Sequence, residues 1–216
     1  MGHNQDDFLL GRVVDIVAHK VHVDKEHQIK DALIHTILAI TERDQYTSKH
    51  QQRVAKLAVA IAKKMGLSPH QIEGIELGSL IHDIGKIYIP AELLNLPRKF
   101  TPSEYEQVKP HVQLGYEIIK DVQFPWPVAK MIHQHHEHLD GSGYPQGLMD
   151  KDILLESRII AVADVIESMT ADRPYRHALP LQEAFEELLA HKGTYYDPTV
   201  VDTCIQLFKE KDFSLD

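Results

Sequence analysis

Residues 46–86 read YTSKHQQRVAKLAVAIAKKMGLSPHQIEGIELGSLIHDIGK, and this stretch decides the fold. Glycine adopts the left-handed conformation that ends many helices, so Gly66 provides a stop after the first half. Ser68 and Pro69, with Gln71 in the capping-box position, then begin a second helix. The first half carries one helical stripe of apolar residues three and four positions apart: Val54, Leu57, Ala58, Ile61, Ala62 and Met65.

The sequence beyond this stretch keeps the helical pattern. Thr101 and Pro102, followed by Glu104, repeat the start signal of the second helix. No Gly/Ser-rich linker, low-complexity tract or internal repeat interrupts the chain. An all-α fold is therefore predicted. Three further helix starts are expected: Pro127, with a helix to about His136; Ser157, with a helix to about Thr170; and Asp197-Pro198.

Composition narrows the function classes. The 216 residues are 43% hydrophobic, which is enough for one domain or at most two. A formal charge of −9 argues against a protein that binds nucleic-acid polymers by neutralising many phosphates. Cys204 is the single cysteine, which suits a reducing compartment. The sequence shows neither a signal-peptide layout nor an apolar run of about 20 residues, the length that spans a bilayer. We therefore expect a cytoplasmic protein that does not associate with membranes.

The N-terminal residues form a separate prediction. Leu10, Val14, Val17 and Val21 recur at 4-3-4 spacing, which is typical of a short coiled-coil seam. One interpretation is a helix that packs on its own domain. The alternatives are the tail of a signalling helix from a sensor, or a contact that forms a homodimer. We predict an N-terminal helix within residues 1–28 and one folded domain over residues 29–216.

Histidine and aspartate suggest a metal site. The chain has fifteen histidines, and imidazole is the commonest metal ligand. His82 and Asp83 end an apolar helix, and an adjacent His-Asp pair can bind two metals if the carboxylate bridges them. Asp164 lies in the apolar run IIAVADVI at 159–166, where an ionised carboxylate must be paired or must coordinate a metal. Hydrogen bonding within the core is the alternative for each of these residues, and for His50 and the pair His135-His136.

Two motifs resemble a known family. Residues 81–86, Ile-His-Asp-Ile-Gly-Lys, resemble the signature of the HD superfamily of metal phosphohydrolases. Residues 135–145, HHEHLDGSGYP, resemble the extended motif of its HD-GYP subgroup without a gap. The resemblance covers roughly residues 30–210. Other positions also match the subgroup in spacing: His50, His111, Asp164, and Arg-Pro-Tyr-Arg from Arg173 to Arg176.

The resemblance implies an HD-type helical bundle with a buried binuclear metal site. It makes Asp83 the bridge between two divalent ions, with iron or manganese as the metal. Lys86 would contact the substrate phosphate, Arg176 and Arg173 the other side of the substrate, and Asp164 would help to orient a bridging hydroxide. Gly143 and Tyr144 would line a guanine pocket or form a docking surface for a partner cyclase. The implied metal ligands are His50, His82, Asp83, His111, His135, His136 and Asp164.

Two positions depart from the family pattern. Some members carry a glutamate one turn before the first ligand histidine and hold a third metal with it, whereas this chain has Tyr46. Two metals are therefore expected here. One turn after Asp164 the family commonly has a second aspartate, whereas this chain has the longer Glu167. His133 and His138 match no ligand position and are expected to lie outside the metal-binding set.

The function that the resemblance implies is hydrolysis of cyclic di-GMP to pGpG, with GMP as a further product, by attack of a metal-bridging hydroxide. A diguanylate cyclase or a sensor domain is the implied protein partner. Three alternatives stay open: a phosphodiesterase for another cyclic dinucleotide such as cyclic GMP-AMP, a non-catalytic receptor or interaction module, and a di-iron oxygenase. The motif contains nothing that reads the base, so it does not separate the cyclic dinucleotides.

Overall fold

Helices account for the fold of the described residues. The computed structural model describes residues 45–172, 177–210 and 213–215, and for residues 45–48 the backbone alone. The predicted N-terminal helix and the boundary between residues 28 and 29 lie outside the described residues, so both stay predictions. The described residues belong to one compact unit. No helix among them is both long and apolar enough to cross a membrane.

Nine α-helices and two 3₁₀ helices are present in the described ranges, and no β-strand is found there. Two isolated β-bridges join Asp140 to Met149 and Lys192 to Tyr196. The 3₁₀ helices span Ile84–Tyr88 and Asp150–Asp152. The α-helices are α1 Gln45–Lys64, α2 Pro69–Ile81, α3 Ala91–Leu94, α4 Pro102–Val108, α5 His111–Ile119, α6 Val128–Gln134, α7 Leu155–Thr170, α8 Leu181–Ala190 and α9 Pro198–Lys209.

The predicted helix ends around residue 66 are confirmed. Gly66 has a φ of +75°, so the left-handed region that favours glycine ends α1. The Ser68 hydroxyl accepts a hydrogen bond from the Gln71 backbone N–H at 3.3 Å, and the Gln71 side chain caps Ser68 in return. The equivalent capping box at Thr101 and Glu104 starts α4. These local hydrogen bonds satisfy backbone donors that have no partner within the helix.

The last predicted helix start is confirmed as well, but another is wrong by two residues. Asp197 caps α9, where its side chain accepts from the backbone N–H groups of Thr199 and Val200. In contrast, α7 begins at Leu155, and Ser157 lies buried inside it rather than at its start. Its hydroxyl lies 3.5 Å from the Met131 carbonyl of α6, so tertiary packing satisfies it in place of a cap.

Three helices were not predicted from the sequence. Proline occupies the N-cap positions of α3, α5 and α8, as Pro90, Pro110 and Pro180. Proline offers no side-chain acceptor, so none of these N-caps makes a side-chain hydrogen bond. This is why a search for Ser, Thr, Asp or Asn caps misses all three helices. Helix α5 is the most important of these for the site, because its first residue is His111.

The core lies where α1, α2 and α7 meet, with α8 and α9 packed on the same cluster. The apolar stripe predicted for α1 is buried, as Val54, Leu57 and Ile61 are fully inaccessible to solvent. Each fully buried side chain of this size contributes about 1.5–3 kcal/mol relative to exposure. The core includes Cys204, which is fully buried, and burial raises the pKa of its thiol to about 12.

A glycine permits the closest approach in this part of the chain. A Cβ on Gly85 would lie 1.9 Å from the His111 carbonyl oxygen and 2.5 Å from the Gly115 backbone nitrogen. The first 3₁₀ helix can therefore rest directly on the backbone of α5. This contact holds the segment that follows His82-Asp83 against the helix that begins with His111.

We expect the substitution Gly85→Ala to destabilise the protein by about 3 kcal/mol, the upper part of the usual range for overpacking, because the added carbon meets rigid backbone. Urea denaturation measures the loss. Gly115→Ala is the matched control, since its Cβ would meet the Ile132 Cγ2 atom at a less severe 3.1 Å. The helix propensity of alanine, about 1 kcal/mol above glycine, offsets part of that contact. Equal midpoints for the two variants would contradict this account of Gly85.

Candidate metal centre

Five helices place the seven predicted ligands around one point. His50 lies on α1, His82 and Asp83 follow α2, His111 begins α5, His135 and His136 follow α6, and Asp164 lies on α7. All are mostly or fully buried; the Asp164 side chain is 15% exposed. Three groups of three have ligand atoms within 4.8 Å of one another. The first set is His50, His82 and Asp164, and the second set is His111, His135 and His136. The third group, His82, Asp83 and His135, joins the two.

Three imidazoles are oriented by backbone carbonyls three residues earlier. The Nδ1 atoms lie 2.7 Å from the Ser79 oxygen for His82, 2.8 Å from the Val108 oxygen for His111 and 2.6 Å from the Ile132 oxygen for His135. A carbonyl can only accept, so each Nδ1 must carry the proton, and each Nε2 keeps its lone pair. All three Nε2 atoms are buried without a hydrogen-bond partner.

Asp83 lies between the two sets. Its Oδ2 atom is 3.6 Å from Nε2 of His50 and 3.5 Å from Nε2 of His82. Its Oδ1 atom is 3.4 Å from Nε2 of His111 in the other set. One carboxylate oxygen therefore faces each set, which is the arrangement that a bridging carboxylate requires.

Glu167 positions His50, a contact that sequence reasoning did not foresee. The buried Glu167 carboxylate accepts a hydrogen bond from Nδ1 of His50, while Nε2 of His50 lies 3.2 Å from Asp164 Oδ1. Arg53 Nε lies 3.5 Å from the other Glu167 oxygen. The clue available in the sequence was the spacing, because Glu167 follows Asp164 by one helical turn and shares its face. The longer side chain keeps a carboxylate behind a ligand histidine, an arrangement common around protein-bound metals.

The charges of the ligands suit a cation. Burial lowers the pKa of His82 and His135, and burial followed by the neighbouring His111 lowers the pKa of His136 to about 3. Burial opposes ionisation of Asp83, but Lys86 and His82 outweigh it and hold the pKa of that carboxyl well below its usual range. Neutral imidazoles and ionised carboxylates are the protonation states that bind metal ions.

His50 behaves differently from the other ligand histidines. Burial disfavours its charged form, yet hydrogen bonds to Asp164 and Glu167 raise its pKa to about 9. The same hydrogen bond to His50 outweighs burial for Asp164 and lowers the pKa of that carboxyl well below its usual range. Without a metal, a proton on His50 therefore supplies positive charge next to the two carboxylates.

Lys86 reaches the rim of the centre from the first 3₁₀ helix. Its ammonium donates to Asp83 Oδ2 at 2.5 Å, and its side chain is 28% exposed. The cation thus lies between a predicted ligand and solvent. The predicted contact with a substrate phosphate is compatible with this position and stays a prediction.

The glycine-rich loop after α6 packs against the second set. A Cβ on Gly143 would lie 2.4 Å from the His138 nitrogen and 2.5 Å from the His136 oxygen, so the close approach requires glycine. Tyr144 stacks on the His136 ring, with centroids 4.8 Å apart and planes at 22°. Glu137 is buried and accepts from the backbone N–H groups of Gln146 and Leu148 at 2.7 and 3.0 Å. No sequence pattern gave Glu137 a role, but its two hydrogen bonds hold this loop in place.

Several predicted residues lie elsewhere or outside the described residues. Arg173 and Arg176, and the side chain of Tyr46, are outside them, so their roles stay predictions. His133 stacks on Tyr116 and lies 2.7 Å from the Gln113 side-chain oxygen. His138 stacks on Tyr195 and contacts the Ser142 hydroxyl. Both histidines therefore have partners away from the two ligand sets.

The donor set fits transition-metal ions. Three buried Nε2 atoms without partners converge on ionised carboxylates, and a cation satisfies both groups at once. Five imidazoles with two carboxylates favour iron, manganese or zinc over magnesium and calcium, which prefer oxygen ligands. The cluster can accordingly hold metal, with His82 and Asp83 at its middle.

We expect metal binding at pH 7 to release about one proton per chain, because His50 with a pKa of about 9 must become neutral to act as a ligand. The apparent metal affinity should therefore rise about tenfold per pH unit between pH 7 and 8 and level off above pH 9. Titration calorimetry of metal-free protein with Mn²⁺ in two buffers of different ionisation enthalpy measures the proton count. An apparent enthalpy that is the same in both buffers would contradict the assignment.

The substitution Glu167→Ala should weaken metal binding about 10- to 100-fold, as is usual when a group that orients a metal ligand is removed. Glu167→Gln keeps an acceptor for His50 but removes the charge, so it should reduce the number of protons released. The matched control is Glu156→Ala, on the same helix but in its first turn. Metal affinity is measured by competition with a chelating dye. If the Glu167 and Glu156 variants bind metal equally well, Glu167 does not position His50.

Comparison with known proteins agrees with this geometry. A family described as HD domain matches residues 35–200. The cyclic di-GMP phosphodiesterase of Thermotoga maritima is 40% identical over 170 residues, which cover 78% of this chain and 46% of that protein. The 3'3'-cGAMP-specific phosphodiesterase 1 of Vibrio cholerae is 40% identical over 144 residues, covering 67% of this chain and 33% of that protein. The chain thus spans less than half the length of these two relatives.

A solved structure extends the likeness to three dimensions. The HDG"Y"P protein Bd1817 from Bdellovibrio bacteriovorus matches with a TM-score of 0.64 and 25% identity, over 75% of this chain and 52% of that one. All seven predicted ligands lie within the region matched by the family, from His50 to Asp164. The chain therefore belongs to the HD domain family and, with its uninterrupted motif from His135 to Pro145, to the HD-GYP group within it.

Proposed function

We propose that this chain is a metal-dependent phosphodiesterase that hydrolyses cyclic di-GMP. The observation that carries the proposal is Asp83, which directs one oxygen toward each of two ligand sets whose buried imidazole nitrogens have no other partner. Two divalent ions, iron or manganese, would occupy these sets. When bound, they supply Lewis-acid stabilisation of the phosphate and a water of lowered pKa.

The protein side chains have separate roles in the proposed reaction. Asp83 lies between the two sets and contacts both. Asp164, which is partly exposed at the edge of the first set, can accept a hydrogen bond from the attacking water. Lys86 offers its partly exposed ammonium to the non-bridging phosphate oxygens, where negative charge increases in the transition state. Tyr144 and Gly143 keep His136 in place, and Arg173 and Arg176 remain the proposed contacts to the far side of the substrate.

Cyclic di-GMP is favoured by the names of several relatives, among them the Thermotoga maritima protein, but the Vibrio cholerae relative named for 3'3'-cGAMP shares the same 40% identity with this chain. Another cyclic dinucleotide is therefore the second candidate substrate. A receptor without catalysis is less consistent with the site, since pure binding does not require both ligand sets and Lys86 to be intact. An oxygenase remains the least favoured alternative, because the motif from His135 to Pro145 is not typical of that class.

Several finer predictions accompany the proposal. These are pGpG as product with subsequent cleavage to GMP, a cytoplasmic location, a diguanylate cyclase or sensor partner, and a homodimer formed through the N-terminal helix. Incubation of metal-loaded protein with cyclic di-GMP, cyclic GMP-AMP and cyclic di-AMP, followed by chromatography of the products, tests substrate and product together.

The substitution Lys86→Ala should lower kcat for cyclic di-GMP about 100- to 1,000-fold, the usual effect of removing one group that stabilises developing charge. Metal content should persist, because no ligand is removed. Asp83→Ala should abolish turnover and lose metal. Lys130→Ala, an exposed lysine on α6, is the matched control and should retain the wild-type rate. Elemental analysis and product quantification on the same samples distinguish loss of metal from loss of the phosphate contact. A wild-type rate for Lys86→Ala would contradict the role proposed for Lys86.

A further inference from the structure

An open cleft of about 630 Å³ lies between the start of α4 and the end of α7. Its walls are mostly apolar and aromatic, formed by Phe100, Pro102, Tyr105, Met169 and Leu179. Tyr105 is 43% exposed, so a large aromatic surface faces the opening. Among the described residues that line the cleft, Lys99 alone carries a charge. A volume of this size is typical of small-molecule sites, which are largely apolar with a few polar groups that orient the ligand.

The cleft borders the metal centre through its tyrosine wall. The Tyr105 ring meets Tyr144 edge to face, with centroids 6.3 Å apart and hydroxyls at 3.5 Å, and Tyr144 stacks on His136. Met169, which also lines the cleft, belongs to α7, the helix that carries Asp164. One aromatic ring therefore separates the cleft from the set that contains His136.

The charges of the cleft suit a base rather than a second phosphate. A phosphate requires several donors or cations, whereas most of this wall offers carbon atoms and aromatic faces. Lys109, whose ammonium donates to Glu106 at 2.5 Å, also places it 5.4 Å from the centroids of both Tyr105 and Tyr144. A cation there suits the sugar-phosphate part of a nucleotide, while Phe100 and Leu179 offer a surface for its base.

We propose that this cleft binds one guanine base of the dinucleotide whose scissile phosphate lies at the metal centre. The assignment rests on the function proposed above. Phe100 and Tyr105 contact the face of the base, since aromatic stacking accepts any base. Lys99 provides the discrimination: guanine presents two acceptors, O6 and N7, on one edge, and a lysine ammonium can donate to both. Adenine places an amino donor in the same position, which a lysine does not match.

The stacking part is tested with the metal-loaded protein and two substrates, cyclic di-GMP and bis(4-nitrophenyl) phosphate, a diester without a base. Tyr105→Ala and Leu179→Ala should each raise KM for cyclic di-GMP about tenfold, consistent with the loss of one base contact. Their effect on kcat/KM for the diester without a base should be several-fold smaller. Tyr105→Phe keeps the aromatic ring, so its KM for cyclic di-GMP should stay at the wild-type value. Leu189→Ala, at a leucine that is 51% exposed on α8, is the matched control for Leu179→Ala.

The discrimination part compares cyclic di-GMP with cyclic di-AMP. Lys99→Ala should lower the ratio of kcat/KM for the two substrates about tenfold, because one correctly paired base edge contributes discrimination of this order. An unchanged ratio would overturn the role of Lys99. Unchanged KM values for both Tyr105→Ala and Leu179→Ala, in an enzyme that cleaves cyclic di-GMP, would overturn the base site while leaving the proposed function intact. Wild-type protein that cleaves the diester without a base but no cyclic dinucleotide would overturn both.

Discussion

Three buried imidazole nitrogens without hydrogen-bond partners set the constraint on which the rest of the structure depends. Each Nε2 of His82, His111 and His135 has lost water, and a buried polar atom without a partner costs about 1–3 kcal/mol. Ionised Asp83 and Asp164 lie in the same space and need compensating positive charge. A metal cation satisfies all of these groups together. The helices therefore meet at a point that would be unfavourable as an ordinary hydrophobic core.

The ligand histidines next to helix ends find hydrogen-bond acceptors there, which offsets part of this cost. His82 and His135 directly follow helices, and His111 begins one just after α4 ends, so each Nδ1 can donate to a carbonyl of the preceding turn. Such carbonyls have no partner within their own helix and would otherwise need water. The same contacts fix the tautomer and direct Nε2 inward. His50 lies within α1, where carbonyls are already used, and here the carboxylate of Glu167 takes their place.

Glycines and aromatic rings connect the metal centre to its surroundings. Gly85 in the first 3₁₀ helix and Gly143 in the loop after α6 contact backbone at distances that no side chain would permit. The loop that contains Gly143 then places Tyr144 between His136 and Tyr105, so one ring contacts a ligand on one side and borders the apolar cleft on the other. The residues proposed for catalysis therefore lie beside those proposed for base recognition. The catalytic group is buried and polar, whereas the base-recognition group is partly exposed and mostly apolar.

The sequence by itself determined the all-α fold and singled out the seven residues proposed as ligands, because helical periodicity, capping boxes and an ungapped motif are local patterns. It could not locate α5, which has no capping side chain, or the start of α7, where packing replaces a cap. Only the tertiary structure decided how the ligands divide into two sets, that Glu167 holds His50, and that Tyr105 approaches Tyr144. Those contacts join residues far apart in the chain, and their geometry depends on helix packing that no local pattern encodes.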